Sequence, residues 1–337
     1  MISTRTPLRV SLGGGGTDLA SYYKHREGFV FSMALDKYIH VVCHRPAFDR
    51  RVVISGNEVA ERTEFVRHEL VRGALLHHGI EDRFELTSIA DVAGGTGLGS
   101  SSCFLVGLLH ALHIIKGRAV TAAELAEEAC TIEIHSLAKG IGKQDQYMAA
   151  FGGLTTLEIA RDGTVKTTPV VLEPEVQDAF IRHTHIYYTG LRRDAAVILS
   201  DQNNAMEASS GDHHDRVLEN LDFIKDLGRR ILKAWQNGDL AGWGAMLDEH
   251  WQRKKQLSAR ISWPHIDQLY DVVRSRFGVA GGKIIGAGGG GFLMLFCPND
   301  GKTLEEYMLS HGMPRLNYRV DPRGTRMLDY PELHKAS

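Results

Sequence analysis

Residues 94–102 read Gly-Gly-Thr-Gly-Leu-Gly-Ser-Ser-Ser and stand directly before the apolar run 103–115. Glycine inside regular structure costs about 0.5–1 kcal/mol relative to alanine, so four glycines at the mouth of an apolar helix need a reason. One reason is a tight turn closed by a serine N-cap. The other is a phosphate cradle, in which the unpaired N–H groups and the positive end of a helix dipole converge on an anion. The stretch by itself admits both.

Three carboxylates are placed where chemistry is one of the explanations. In the helical pattern 122–138, Leu125, Ala129 and Glu133 fall at i, i+4 and i+8 beside Ala126, which sets Glu133 on an apolar face. A buried carboxylate needs a cation, an ammonium partner or a shifted pKa; an internal salt bridge is the plain alternative. Asp145 sits in Gly-Ile-Gly-Lys-Gln-Asp-Gln-Tyr-Met, and Asp18 in Gly-Gly-Gly-Gly-Thr-Asp-Leu-Ala, after a strand that carries Arg9. Either aspartate could cap a helix. A carboxylate in a glycine loop also suits polyol recognition, because it accepts from two hydroxyls and glycine permits close approach.

The elements that must hold these groups follow from pattern. Residues 7–23 read as a strand, a glycine loop and a helix capped by Thr17 or Asp18. Residues 37–46 and 50–56 read as strands. A helical spacing over 63–79 stops at Gly79, and 84–92 is a strand leading into the glycine–serine loop. Helix 101–115 follows, then a helix opened by the capping box Thr121…Glu124 and stopped at Gly140. Residues 154–172 form a hairpin turning at Asp162–Gly163. Beyond Pro174 come a strand over 180–190, several helices between Asp194 and Phe277, and two strands around a second glycine loop over 283–298. The division is placed at 1–172 and 173–337.

Several cheap matches fail on context. Gly286, Gly288 and Gly291 fit GxGxxG, but the Phe-Leu-Met-Leu-Phe run behind them is a strand and no crossover helix follows. The 94–102 loop lacks the lysine of a Walker A loop. Gly-Asp-His-His-Asp at 211–215 reads as a polar turn before a helix, and His77–His78 as a solvated helix end. With 337 residues, a formal charge of −2 and 43% apolar residues, the chain has room for two domains and no basic surplus for nucleic acid. Cys43, Cys103, Cys130 and Cys297 form no CxxC pair, which fits reduced thiols and a cytoplasmic location. The first ten residues lack a signal-peptide core, and the 103–115 run is too short to span a bilayer. No membrane partner is expected.

Taken together, Pro-Leu-Arg-Val-Ser-Leu-Gly-Gly-Gly-Gly-Thr-Asp, the 94–102 run, Gly-Lys-Gln-Asp-Gln and Lys-Ile-Ile-Gly-Ala-Gly-Gly-Gly-Gly-Phe resemble, in order, the motifs of the galactokinase, homoserine kinase, mevalonate kinase and phosphomevalonate kinase (GHMP kinase) superfamily. The likeness runs over nearly the whole chain. It departs from the family at Ala93–Gly94, where a proline often stands, and at Ser102–Cys103, where two alanines do. Galactokinases carry Gly-Glu-His-Thr-Asp in the first motif. Gly-Gly-Gly-Thr-Asp here is similar to the heptose 7-phosphate kinase branch and to the kinase part of fucokinases.

The resemblance implies an α+β two-domain fold, with an N-terminal domain like domain 2 of ribosomal protein S5 and a ferredoxin-like C-terminal domain. It implies an ATP-dependent sugar 1-kinase acting on heptose 7-phosphate on a route to GDP-heptose and surface polysaccharide; a free-sugar kinase for fucose or galactose is the alternative, and a sensor without catalysis a more distant one. ATP phosphates would lie on Gly95, Gly97, Leu98, Gly99, Ser100, Ser101 and Ser102, with the third glycine motif at Gly286, Gly288, Gly289 and Gly290. Ser101 and Glu133 would ligate Mg²⁺. Asp145 would be the general base and Arg9 its electrostatic partner. Gly15, Gly16, Thr17 and Asp18 would hold the sugar, and Lys143 and Arg193 its phosphate. The implied partners are a sugar phosphate and ATP. The oligomeric state stays open between monomer and homodimer.

Overall fold

The computed structural model describes residues 1–191, 195–207, 211–299 and 301–328. The chain opens with β1 (Ile2–Gly13), a short helix α1 (Ala20–Arg26) and a long strand β2 (Gly28–His44). Then come β3 (Val52–Ile54), β4 (Glu58–Ala60), α2 (Glu69–His77), β5 (Phe84–Ala90), α3 (Ser100–Ile115) and α4 (Ala122–Cys130). A π-helical stretch (Thr131–Ser136) leads to α5 (Gln144–Phe151), β6 (Leu154–Ile159) and β7 (Val165–Pro169). The remainder is α6 (Pro174–His183), β8 (Thr184–Tyr188), α7 (Ala195–Glu207), α8 (Asp212–Gln236), α9 (Leu240–Lys255), α10 (Pro264–Phe277), β9 (Gly281–Ile284), β10 (Phe292–Phe296), α11 (Lys302–Ser310) and β11 (Arg326–Met327).

The first sheet runs β11-β1-β2-β5-β3-β4. Strand β2 is long enough to serve two neighbours on its far side, β5 along Ile39–His44 and β6 along Gly28–Met33. All its pairings are antiparallel except β3 with β5. Helix α3 packs on β1 and β2. Its interior is apolar on every side, so it reads as a core helix rather than an amphipathic one. The second sheet is antiparallel, in the order β8-β10-β9. Both expected mixed α/β halves are present. The 281–296 unit is a strand pair around a glycine loop, antiparallel with no crossover helix, so the GxGxxG match is spurious as expected.

The two sheets are tied together by packing and by the chain end. Trp235 on α8 stacks on Phe180 of α6 at 4.2 Å and meets Phe31 of β2 edge-on at 5.7 Å. The tail passes β8, where Leu316 N–H donates to Ile186 O. It then returns to the first sheet through Asp321 N–H to Ala34 O and the β11–β1 pair.

Differences from the sequence reading have local causes. Pro174 starts a helix, because proline at the first helical position needs no N–H partner, and that helix takes up the first residues of the strand expected over 180–190, leaving β8 (Thr184–Tyr188). Helix α1 is capped by neither Thr17 nor Asp18, since its N-cap is Leu19. The Thr121–Glu124 capping box and the Asp162–Gly163 turn are present as read. His78 is not solvated: it is buried and its Nε2 meets Glu128 Oε1 at 2.8 Å, with His113 on the other carboxylate oxygen at 2.7 Å. Among the described residues no helix is long and apolar enough to cross a membrane.

Candidate active site

The glycine–serine loop ends at Gly99, whose φ of 78° is the left-handed N-cap of α3. A side chain there is strained, and its Cβ would stand 3.1 Å from Asp145 Oδ2. The helix N-terminus therefore opens directly beside Asp145. Gly97 is constrained from behind: a Cβ on it would meet Ile285 O at 2.7 Å, and one on Gly286 would meet Gly97 O at the same distance. The third glycine motif thus lets the two loops pack backbone against backbone. Its Gly289 N–H is spent on Ile261 O and its Gly291 N–H on Leu191 O.

A cavity of about 860 Å³ lies between the sheets, lined by all three glycine motifs and by Arg9, Asp18, Glu133 and Asp145. That volume suits small-molecule ligands. Arg9 is buried on β1 and sends two nitrogens, Nε and Nη2, to Asp145 Oδ1 at 2.7 Å each, while Nη1 donates to Gly97 O at 2.6 Å. Among the described residues nothing donates to Oδ2. Asp145 lies in the first turn of α5, whose N-cap is Lys143, so the helix-cap alternative for this aspartate is excluded. The guanidinium holds one carboxylate oxygen and leaves the other open toward Gly99.

Glu133 is fully buried on the π-helical stretch. Such irregular turns re-aim one side chain out of helical register and recur at functional sites. Its carboxylate accepts from Ser101 Oγ at 3.0 Å, Ser102 Oγ at 2.6 Å and Gln146 Nε2 at 2.7 Å. Burial pushes its pKa up, and the three donors pull against that. No lysine or arginine pairs with it among the described residues, which removes the internal salt bridge. A carboxylate and a hydroxyl side by side, with no protein cation, form a hard-oxygen donor set of the kind a small divalent cation uses.

Asp18 is buried, with its pKa raised chiefly by that burial. It accepts from Gly16 N–H and from Gln144 N–H, each at 3.1 Å, and so caps α5 across the cavity. Gly142 makes this possible, since a Cβ there would lie 1.9 Å from Asp18 Oδ2. Among the described residues, three buried polar groups on the cavity wall lack a protein partner: Ser11 Oγ, Gln144 Nε2 and both ring nitrogens of His250. Orphaned polar atoms of this kind mark where a polar ligand would complete the set.

Of the expected site residues, Arg9, Gly15, Gly16, Asp18, Gly95, Gly97, Gly99, Ser100 to Ser102, Glu133, Asp145, Gly286, Gly288 and Gly290 reach the cavity. Leu98 and Gly289 support its loops from behind. Two sugar-site expectations are corrected. The Thr17 hydroxyl is buried in its own loop, donating to Gly14 O and Phe29 O and accepting from Phe29 N–H. Lys143 turns away from the cavity to the Glu127 carboxylate at 2.8 Å and Gly163 O at 2.7 Å, because an ammonium on a buried stem takes the nearest acceptors. Arg193 lies outside the described residues.

The sequence reading missed the opposite wall. His250 and Lys254 come from α9 and Lys283 from β9. His250 and Lys254 continue the stripe of Trp243, Met246 and Leu247 on α9, by the same periodicity that singled out Glu133.

Comparison with known proteins agrees with this geometry. The GHMP kinases N terminal domain matches residues 65–153 and the GHMP kinases C terminal domain residues 231–312. Together they cover just over half of the chain, and the chain belongs to the GHMP kinases. A D-glycero-alpha-D-manno-heptose 7-phosphate kinase of Campylobacter jejuni is 27% identical over 309 residues, covering 88% of this chain and 89% of the relative. The L-fucokinase/L-fucose-1-P guanylyltransferase of Bacteroides fragilis is 24% identical, over 86% of this chain but 34% of that longer protein. Among solved structures, a D-glycero-D-manno-heptose 1-phosphate kinase from Bacteroides thetaiotaomicron superposes with a TM-score of 0.78 at 21% identity, covering 98% of this chain and 99% of the other. That likeness establishes the two-domain GHMP kinase fold.

Proposed function

We propose that this chain, an ATP-dependent sugar kinase, transfers the γ-phosphoryl group of ATP to the anomeric C1 hydroxyl of D-glycero-α-D-manno-heptose 7-phosphate, giving the 1,7-bisphosphate. The observation that carries the reading is the Arg9–Asp145 pair beside the N-terminus of α3. It puts a carboxylate oxygen with no donor among the described residues next to a helix end suited to phosphate. The 27% identical heptose 7-phosphate kinase supports the choice of sugar.

In this mechanism Asp145 Oδ2 takes the proton of the C1 hydroxyl. The freed oxygen forms the new bond to the γ-phosphorus as the bond to the ADP oxygen breaks. Arg9 orients Asp145, and its charge offsets that of the transferring group. Phosphoryl transfer needs positioning and charge neutralisation more than covalent chemistry by the protein. The N–H groups at the start of α3 and the 95–99 loop hold the donor phosphates. Ser101 and Glu133 fit Mg²⁺, which when bound would neutralise phosphate oxygens. Asp18, Gln144 and Ser11 would meet sugar hydroxyls. We further propose the division at 172/173, the first part supplying base and phosphate loop and the second the facing wall.

The test is turnover of heptose 7-phosphate, L-fucose and galactose side by side with Mg·ATP, the product's phosphate located by phosphorus NMR. Heptose 7-phosphate should be preferred and phosphorylated at C1. Preference for either free sugar, or transfer to another hydroxyl, overturns the reading.

A further inference from the structure

Lys254, Lys283 and His250 form one basic wall. Lys283 and His250 are each only 2% exposed, and Lys254 is partly open to the cavity. Lys283 Nζ donates to Leu12 O at 3.0 Å; Lys254 Nζ donates to Ile284 O at 3.1 Å and to Gly286 O. Both ammonium groups thus hold only neutral carbonyls, and each has donor capacity to spare. Among the described residues His250 has no partner on either nitrogen. The charged groups that act on the three are one another and Arg9, all basic, with no carboxylate among them. Burial first, and then repulsion from basic neighbours, depress the pKa of all three, that of Lys254, whose charged neighbour is Arg9, to about 7.

A buried cluster of bases without an acid is costly in the empty protein. It becomes favourable when an anion enters, since charge-assisted hydrogen bonds to phosphate are among the strongest a site can make. The donor phosphates have binding elements of their own in the 95–99 loop, the start of α3, Ser101 and Glu133, and Lys254, through Gly286 O, stands where the third glycine motif packs on that loop. Lys283 is fastened instead to the end of β1, immediately before the glycine run 13–16 and Asp18. That is the acceptor side of the cavity. Lys143 is committed to Glu127 and supplies no charge there.

We propose that Lys254, Lys283 and His250 form the subsite for a phosphate group that the sugar acceptor already carries. The assignment rests on the sugar-kinase reading above but not on which sugar is used. It makes the chain selective for phosphorylated over free sugars.

Two measurements test it on the full chain. In the first, inorganic phosphate is titrated calorimetrically into protein saturated with the magnesium complex of a non-hydrolysable ATP analogue, so that the donor site is filled through its γ-phosphate position. Wild type should bind phosphate; K254M, K283M and H250L, each checked for folding by circular dichroism, should bind it roughly 10–150-fold more weakly, the range for a lost charge-assisted hydrogen bond. In the second, kcat/KM is compared for heptose 7-phosphate and the same heptose without phosphate. The variants should lose roughly 10–150-fold on the phosphorylated sugar and change less than about threefold on the free one. If another sugar phosphate proves to be the substrate and shows the same differential, the heptose assignment fails and the subsite stands. Phosphate binding unchanged in all three variants, or equal losses on phosphorylated and free sugar, overturns the subsite whatever the substrate is.

Discussion

The two walls of the cleft handle charge in opposite ways. On the wall built from the first sheet and its helices, the charged groups have protein partners: Asp145 has Arg9, Glu133 has two serines and a glutamine, and Asp18 has two backbone N–H groups. On the wall built from α9 and β9, three basic groups lie together with no acid acting on them among the described residues. The first wall is set before any ligand arrives, as electrostatic preorganisation requires. The second carries an unfavourable field, which in the subsite proposed above an anionic ligand would relieve.

The comparison breaks most sharply at Asp145. D145N keeps the shape and a hydrogen bond to Arg9 but removes the proton acceptor. Its kcat should fall roughly 10²–10⁴-fold, the usual size of a general-base contribution, while ADP binding by calorimetry stays near wild type. Turnover close to normal would reduce Asp145 to a partner that positions Arg9.

E133Q comes next. The amide oxygen accepts from one of the two serines, which bond different oxygens of the carboxylate, and the neutral group cannot balance a divalent cation. The Mg²⁺ concentration for half-maximal activity should rise at least the roughly 10–100-fold that follows loss of even an outer-shell partner, and excess Mg²⁺ should recover part of the rate. An unchanged Mg²⁺ titration would remove Glu133 from the metal site.

On the facing wall the expected signature is in stability. Lys254 has a folded pKa depressed to about 7 against about 10.4 in an unfolded chain. Between those values the unfolded state binds more protons than the folded one, so the lysine's contribution to stability rises with pH. Below pH 7 both states are protonated and the full penalty is present. Wild type should therefore gain on K254M by about 1–2 kcal/mol between pH 7 and pH 10 in denaturant unfolding, less than the full shift would give because the group is partly open to cavity water. A difference independent of pH would mean that Lys254 is charged and well solvated in the folded protein.

The smallest kinetic effect is expected at Lys143. Removing its buried ammonium leaves Gly163 O without this donor, while Glu127 keeps Tyr147 and solvent, so K143M should lose about 1–3 kcal/mol of stability. Its kcat/KM for heptose 7-phosphate should stay within about threefold, by steady-state assay at a temperature where the variant is folded. A 10-fold or larger rise in KM would return Lys143 to the substrate site.

Local signals in the chain were sufficient for much of this. Periodicity and caps give α3, α4 and the β6–β7 hairpin, because those elements are stabilised by contacts close in sequence. The apolar stripe that ends in Glu133 announced a buried carboxylate, and the order of the glycine motifs announced the cleft. What periodicity could not supply was direction. Lys143 and Asp145 are two residues apart, yet one turns to Glu127 and the other to Arg9, and that choice is made by residues 16 and 136 positions away. Thr17 and Asp18 are adjacent, yet only Asp18 reaches the cavity, because Phe29 takes up the threonine hydroxyl. The basic wall is the extreme case: His250 and Lys254 stand on one helix, but Lys283 joins them only where β9 passes beneath α9. Residue types and local spacing are properties of the chain; the fields that buried charges exert on one another depend on distances through space, and only the packed sheets set those.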